Sequence, residues 1–201
     1  MHIVGTKIGE KFMEASSPNR DILYNQIEEM YGKVMYSYTT QVIHAGRLYR
    51  RNKLLKWGQL IFSAISTGGI IGNLITKCDS FAWIGGIFST ILLVLTAYFK
   101  DNEFSNLHQR HLNTSNQLWM IREKYLSLLI DFNELGREDI VNRRDELHLQ
   151  LSKIYEEAPL TDDKSYALAQ KALQENESQF FSRKELNQIL PILLRKGEKA
   201  K

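Results

Sequence analysis

Three histidines are the first residues in this sequence whose type and spacing could do chemistry. His108 and His111 lie three apart, which places both on one face of a helix, and His44 comes earlier in the chain. A metal centre needs a third and a fourth ligand with oriented supporting partners, and no such set accompanies them. The trio reads instead as a polar layer that sets helix register or responds to protons. Cys78 is the single cysteine; it has only Lys77 beside it to activate it and no second thiol to pair with. The pairs Arg143–Arg144 and Glu156–Glu157 have no motif around them and read as solvated helix surface. Gly68-Gly69-x-x-Gly72 has the glycines of a phosphate loop but neither a preceding strand nor a Lys-Ser/Thr pair. Without a nucleophile and its base, paired catalytic carboxylates or a nucleotide-hydrolysing motif, the chain does not read as an enzyme, and no cofactor or metal is expected.

The residues that stand out chemically lie where charge is missing. Of 26 Lys+Arg and 23 Asp+Glu in the 201 residues, positions 57 to 99 hold only Lys77 and Asp79. That stretch contains two uncharged blocks, 57–76 and 81–99, each long enough as a helix to cross about 30 Å of hydrocarbon. Half of the first block is small or polar, which a simple lipid anchor does not need. On a helical wheel Gln59, Ser63, Ser66 and Asn73 share one arc with Ile70 among them. Ala64, Gly68, Gly72 and Thr76 form a ladder of small residues at intervals of four on roughly the opposite side. Ala82, Gly86 and Thr90 make a matching ladder in the second block, and small residues at that interval let helix backbones approach closely. The expectation is that the two ladders pack together while the polar arc faces something else. Two readings of the arc stand: it lines a water-filled pore in a homo-oligomer, with Ile70 as the constriction, or it only hydrogen-bonds neighbouring helices.

The elements that must position these residues follow from the charge map and the apolar period. Arg47, Arg50, Arg51, Lys53 and Lys56 precede the first block with no acid among them, and Lys100 follows the second. By the positive-inside rule both termini are then cytoplasmic, and the basic cluster reads as topology and lipid headgroup anchoring, with a phosphate or nucleotide site as the alternative. The net charge of +3 is too small to imply direct nucleic-acid binding. After a polar arm (1–20) ending at Ser17 and Pro18, a cap and first-turn pair, a helix is expected over 21–56. Its stripe of Leu23, Ile27, Met30, Val34, Tyr38, Ala45 and Leu48, with Gln41 in line, runs into the first span. The transmembrane hairpin occupies 57–99, with spans 57–76 and 81–99. Over 100–158, Phe104, Leu107, His111, Thr114, Leu118, Ile121, Tyr125, Leu128 and Phe132 recur at steps of three and four. Gly136 breaks that register, and a further helix carries Ile140, Leu147, Leu151 and Ile154. A C-terminal segment, 160–201, reads as two helices, one capped at Thr161 and one opened by the capping box Ser182-x-x-Glu185. The fold class is all-α: a two-helix transmembrane hairpin continuing into a bundle of long helices, whose two extensions bury their stripes on each other.

The stretch HAGRLYRRNKLLKWGQLIFSAISTGGIIGN, from His44, and the later NLHQRHLNTSNQLWMIREKYLSLLIDF, ending at Phe132, resemble the SLATT family, the SMODS- and SLOG-associating two-transmembrane effectors of bacteria. AQKALQENES and the final helix are similar to that family's C-terminal helices. The resemblance implies an inner-membrane effector of antiphage immunity that oligomerises, permeabilises the membrane and causes growth arrest or cell death. It also implies control by a nucleotide second messenger, such as a cyclic oligonucleotide, or by its synthase or another sensor. A membrane-anchored helical adaptor that recruits a partner without forming a pore is the alternative. The mitochondrial calcium uniporter shares the two-span plan, but its acidic selectivity motif is missing from the connector Lys77-Cys78-Asp79-Ser80.

Overall fold

The computed structural model describes residues 18–101, 104–175 and 185. Five helices occupy the described residues: α1 (Pro18–Thr76), α2 (Asp79–Asp101), α3 (Phe104–Ile130), α4 (Arg137–Glu157) and α5 (Asp163–Gln174). No strand occurs among the described residues. The polar arm to residue 17, Ser182 of the expected capping box and the rest of the expected final helix lie outside them.

The first helix is one unbroken rod of 59 residues, about 88 Å long at 1.5 Å per residue. It begins at Pro18, whose fixed φ and missing N–H suit a first turn. Its last 20 positions and α2 are both long and apolar enough to cross a membrane, and almost none of that surface is buried within the protein. Leu60, Leu74, Ile75, Trp83, Leu93 and Val94 all point outward. A water-soluble fold would not leave so much contiguous apolar surface open.

The connector is shorter than the four residues expected. Asp79 already belongs to the first turn of α2, where a carboxylate complements the helix dipole, leaving Lys77 and Cys78 to make the turn. Lys77 sits at φ 54, and its N–H closes α1 by donating to the Asn73 carbonyl at 2.8 Å, a left-handed cap more often built on glycine.

Outside the spans, the stripes expected on α1 and α3 do meet. Ile27 and Val34 of α1 are fully buried with Leu118 and Tyr125 of α3, and Ile140, Leu147 and Leu151 of α4 complete the core. The turn from α3 to α4 is fastened by the buried Arg20, whose guanidinium donates to the carbonyls of Phe132 (2.6 Å) and Leu135 (3.0 Å) and lies 5.0 Å from the Phe132 ring. Gly136 is the N-cap of α4, in ordinary extended conformation. The fifth helix lies on α1, with Ala169 fully buried and Gln174 donating to the Tyr36 hydroxyl. Its N-cap is Asp162, not Thr161: the Asp162 carboxylate accepts from the Ser165 N–H at 2.8 Å. An N-cap side chain reaches an N–H two or three residues on; Asp162 stands three before Ser165, and Thr161 stands four before it.

Candidate functional site

Two polar assemblies are built on α1, one inside the hairpin and one where the rod meets α3 and α5. Inside the hairpin, closest approach is set by a glycine pair, Gly69 against Gly85. A Cβ on Gly69 would stand 2.8 Å from the Phe81 carbonyl oxygen and 2.9 Å from the Gly85 Cα. One turn earlier on the same face, the buried Ser66 donates its hydroxyl to the Gly85 carbonyl at 3.1 Å. Nearer the other end, Gln59 donates to the Thr96 hydroxyl at 3.3 Å, and Phe62 packs on Phe88 with ring centroids 5.6 Å apart. Ser63 and Asn73, of the same polar arc, are half-buried.

This arrangement corrects the expected division of faces. Within the protomer it is the polar arc, through Gln59 and Ser66, that meets α2. Of the small-residue ladders, only Gly72 makes the contact, against the Phe81 ring, while Gly68 and Gly86 have nothing within 4 Å among the described residues. Ala64, Thr76, Ala82 and Thr90 are exposed, and the hydroxyls of Thr76 and Thr90 fold back onto the carbonyls of Gly72 and Gly86. Ile70 is 55% exposed, with its side chain skirting Gly85. The physical reason is that both spans carry glycine doublets, 68–69 and 85–86. Ser66, Gly69 and Gly72 are as small along their face as Ala64 and Gly68 are along theirs, so spacing alone does not choose between them.

The second assembly joins the three histidines into one layer. The His44 and His111 rings stack with centroids 4.3 Å apart. Fully buried, His111 reaches the Gln41 side-chain oxygen from Nδ1 at 2.5 Å, and the Gln41 amide nitrogen donates to the Pro159 carbonyl at 3.3 Å. Because that amide nitrogen is the donor to Pro159, the oxygen must accept, which fixes the His111 proton on Nδ1. Nε2 is then buried without a hydrogen-bond partner. Burial is the main cause that lowers the His111 pKa to about 4, and His44, Arg110 and His108 add repulsion against a lesser attraction from Asp162. Next to it, His108 Nδ1 lies 2.9 Å from the Ala45 carbonyl. The layer therefore ties α1 to α3 and, through Gln41 and Pro159, to the segment that leads into α5.

On the membrane side of this layer stands the basic cluster. Arg47 donates from one nitrogen to both carboxylate oxygens of Asp162 (2.5 and 2.6 Å) and to the Ser165 hydroxyl (2.7 Å). His44 Nδ1 lies 3.3 Å from Asp162 and 3.2 Å from the Ser165 hydroxyl. The Arg47 bond, followed by that of Ser165, holds the Asp162 carboxyl well below the usual carboxylate range. Arg51 donates to the Tyr98 hydroxyl at 2.6 Å and lies over the Phe104 ring. Arg50, Lys53 and Lys56 are exposed. Sequence reasoning overlooked Asp162, Ser165, Gly69 and Gly85. Asp162 was recoverable as one of three consecutive candidate caps, Thr161, Asp162 and Asp163, but its pairing with Arg47 spans 115 positions and leaves no local trace.

Among the described residues no group of His, Cys, Asp or Glu is arranged to hold a metal ion. Neither a curated protein nor a solved structure gives a significant match to the chain. Residues 23–185 match the family described as the SMODS and SLOG-associating 2TM effector domain family 4. That match takes in both spans, the histidine layer and all of α5. Two membrane-length helices and a family of two-transmembrane effectors agree on a membrane effector. The chain belongs to the SMODS and SLOG-associating 2TM effector family, SLATT family 4.

Proposed function

We propose that this effector acts by self-association of its hairpins in a bacterial inner membrane, with both termini cytoplasmic, and that the assembly breaches the permeability barrier and halts growth. The observation that carries this reading is the composition of the hairpin's two faces. A helix selected only to sit in lipid gains from Leu and Ile and loses from Gln, Asn and Ser. Here the polar residues face α2, and the outer face presents Gly68 and Gly86 with open space above them. Small outward residues suit close approach of a second copy of the hairpin. In the assembled state α1 and α2 part, and Gln59, Ser63, Ser66 and Asn73, with Ile70 among them, turn toward water. Within the spans their contact rests on glycines, two long side-chain hydrogen bonds and one aromatic pair, Phe62 on Phe88, a modest set of contacts to give up on parting. The family name supports a further step, in which a SMODS- or SLOG-linked partner or its nucleotide signal sets the assembly off.

Induced expression of an activated form should arrest growth and admit a membrane-impermeant dye. Ser63→Leu and Asn73→Leu should abolish dye entry at unchanged membrane abundance; undiminished entry in both overturns the conduit. Gly68→Leu with Gly86→Leu should reduce the assembled mass in detergent. The adaptor reading, in which the hairpin is only a tether, predicts that an unrelated two-span anchor in place of 57–99 keeps full activity.

A further inference from the structure

The basic residues before the first span differ in height. At 1.5 Å per residue, Lys56 and Lys53 lie within about 6 Å of Trp57 along the rod, Arg51 about 9 Å and Arg47 about 15 Å. Each headgroup layer is about 5–8 Å deep. Lys53 and Lys56 therefore stand among headgroups, whereas Arg47 and His44 stand beyond them, in water.

At that height α1 and the start of α5 enclose a hollow of about 350 Å³ lined by His44, Arg47, Leu48, Arg50, Arg51 and Asp162, within the size range of small-ligand sites. Three guanidinium groups line the hollow with one carboxylate, a surplus of about two positive charges from these four groups. Two of the three are already oriented, Arg47 by Asp162 and Ser165 and Arg51 by Tyr98 and Phe104. Arg50 is exposed at the rim. Asp162 fills the hollow's most cationic corner, taking bonds from Arg47 and the Ser165 N–H with His44 3.3 Å away. A carboxylate so placed occupies the position of an anion with the same donors and a larger charge.

We propose that this hollow binds a phosphate-bearing anion through Arg47, Arg50 and Arg51, and that Asp162 is the internal carboxylate the anion displaces. Guanidinium forks match phosphate oxygens in pairs, and a phosphate brings up to two charges and three acceptors where Asp162 brings one charge. Displacement frees the cap of α5 and loosens its hold on α1. The site's height favours a soluble phosphate over a lipid headgroup as its occupant. Binding here is independent of permeation and is read on purified protein, so a failed dye assay leaves it standing and a failed binding assay leaves the dye assay standing.

The test uses the full chain in phosphatidylcholine nanodiscs, titrated with inorganic pyrophosphate by calorimetry at fixed salt. Wild type should bind saturably. Arg50→Ala should weaken binding by roughly tenfold or more, the effect of one charge-assisted contact. Asp162→Asn keeps a capping side chain and removes the competing charge, so it should tighten binding, a change of sign that a poorly folded variant does not mimic. Repeating the titration with 30% phosphatidylglycerol separates the sources. Unchanged pyrophosphate binding assigns the site to a soluble phosphate, and competition that disappears with Arg50→Ala assigns it to a headgroup. The proposal is overturned by absent saturable binding in phosphatidylcholine, or by affinities that neither variant alters.

Discussion

Replacing Gly69 with alanine tests the close approach of α1 and α2. The added methyl would lie 2.8 Å from the Phe81 carbonyl oxygen and 2.9 Å from the Gly85 Cα, both backbone atoms that cannot swing aside. Carbon contacts settle at about 3.5–4.0 Å, so the helices must separate by about 0.7 Å. The Ser66 bond to Gly85, now 3.1 Å, would then stretch to about 3.8 Å, beyond hydrogen-bond reach. Overpacking of this kind costs about 1–3 kcal/mol, and an interhelical hydrogen bond in a membrane adds about 0.6 kcal/mol. The expected loss is about 2–3 kcal/mol, or roughly thirtyfold to 160-fold in the folded ratio. Gly68→Ala is the control one residue away: with nothing within 4 Å, it should stay within about 0.5 kcal/mol of wild type, on the stabilising side because alanine favours helix. Unfolding of the purified protein in mixed micelles of rising dodecyl sulfate, followed by Trp57 and Trp83 fluorescence, reads both. An equal cost for the two variants, or a larger one for Gly68→Ala, would refute the assignment of the inner face.

Three further predictions concern the helical bundle. The Tyr125 hydroxyl is buried without a hydrogen-bond partner, and burial pushes its pKa up to about 12; Tyr125→Phe should therefore raise the melting temperature or leave it unchanged, by up to about 1–2 kcal/mol. Because burial lowers the His111 pKa from 6.5 to about 4, the neutral layer is at full strength above pH 6.5 and weakens as pH falls toward 4, by at most about 3 kcal/mol. Melting curves between pH 7.5 and 4.5 should show this slope in wild type and a flatter one in His111→Gln. Arg20→Met removes one buried and one half-buried charge-assisted bond, to the carbonyls of Phe132 and Leu135, and should cost about 2–4 kcal/mol, with hydrogen exchange rising first in residues 131–136.

The fold was legible because it rests on periodicity. The apolar steps of three and four from Phe104 to Phe132 need only one buried face to be satisfied, and that face is the one that meets Ile27 and Val34. Gln41 could be placed on the buried stripe and His111 on its counterpart for the same reason. Their bond to each other, and onward to Pro159, depends on the relative axial position of helices that the sequence does not number. The hairpin was harder still. In water an apolar stripe identifies the buried side, but in lipid both sides of a helix are apolar, and the polar residues that mark a face are compatible with a pore, a neighbour or the other arm of the hairpin. The glycine doublets sharpen the ambiguity, since moving the contact from Gly68 to Gly69 rotates α1 by about 100° and changes which residues face α2.

That rotation connects the two polar assemblies. Gln41 and Ser66 lie on one helix, about 37 Å apart along its axis at 1.5 Å per residue, and the rod between them is unbroken. At Gln41 the orientation of α1 is fixed by His111 and Pro159; at Ser66 it is fixed by Gly85. A rigid helix cannot satisfy one set of bonds in a new rotational setting while keeping the other, so an event that rotates α1 at the histidine layer strains the Gly69–Gly85 contact as well. The points between them at which such a twist could be absorbed are Gly46 and Gly58, both with open space around them and no side chain to stiffen the turn. Coupling between the α5 clamp and the hairpin thus needs no chain of intermediate contacts. It requires that α1 behave as one body between Gln41 and Ser66, which the short inventory of weak points favours.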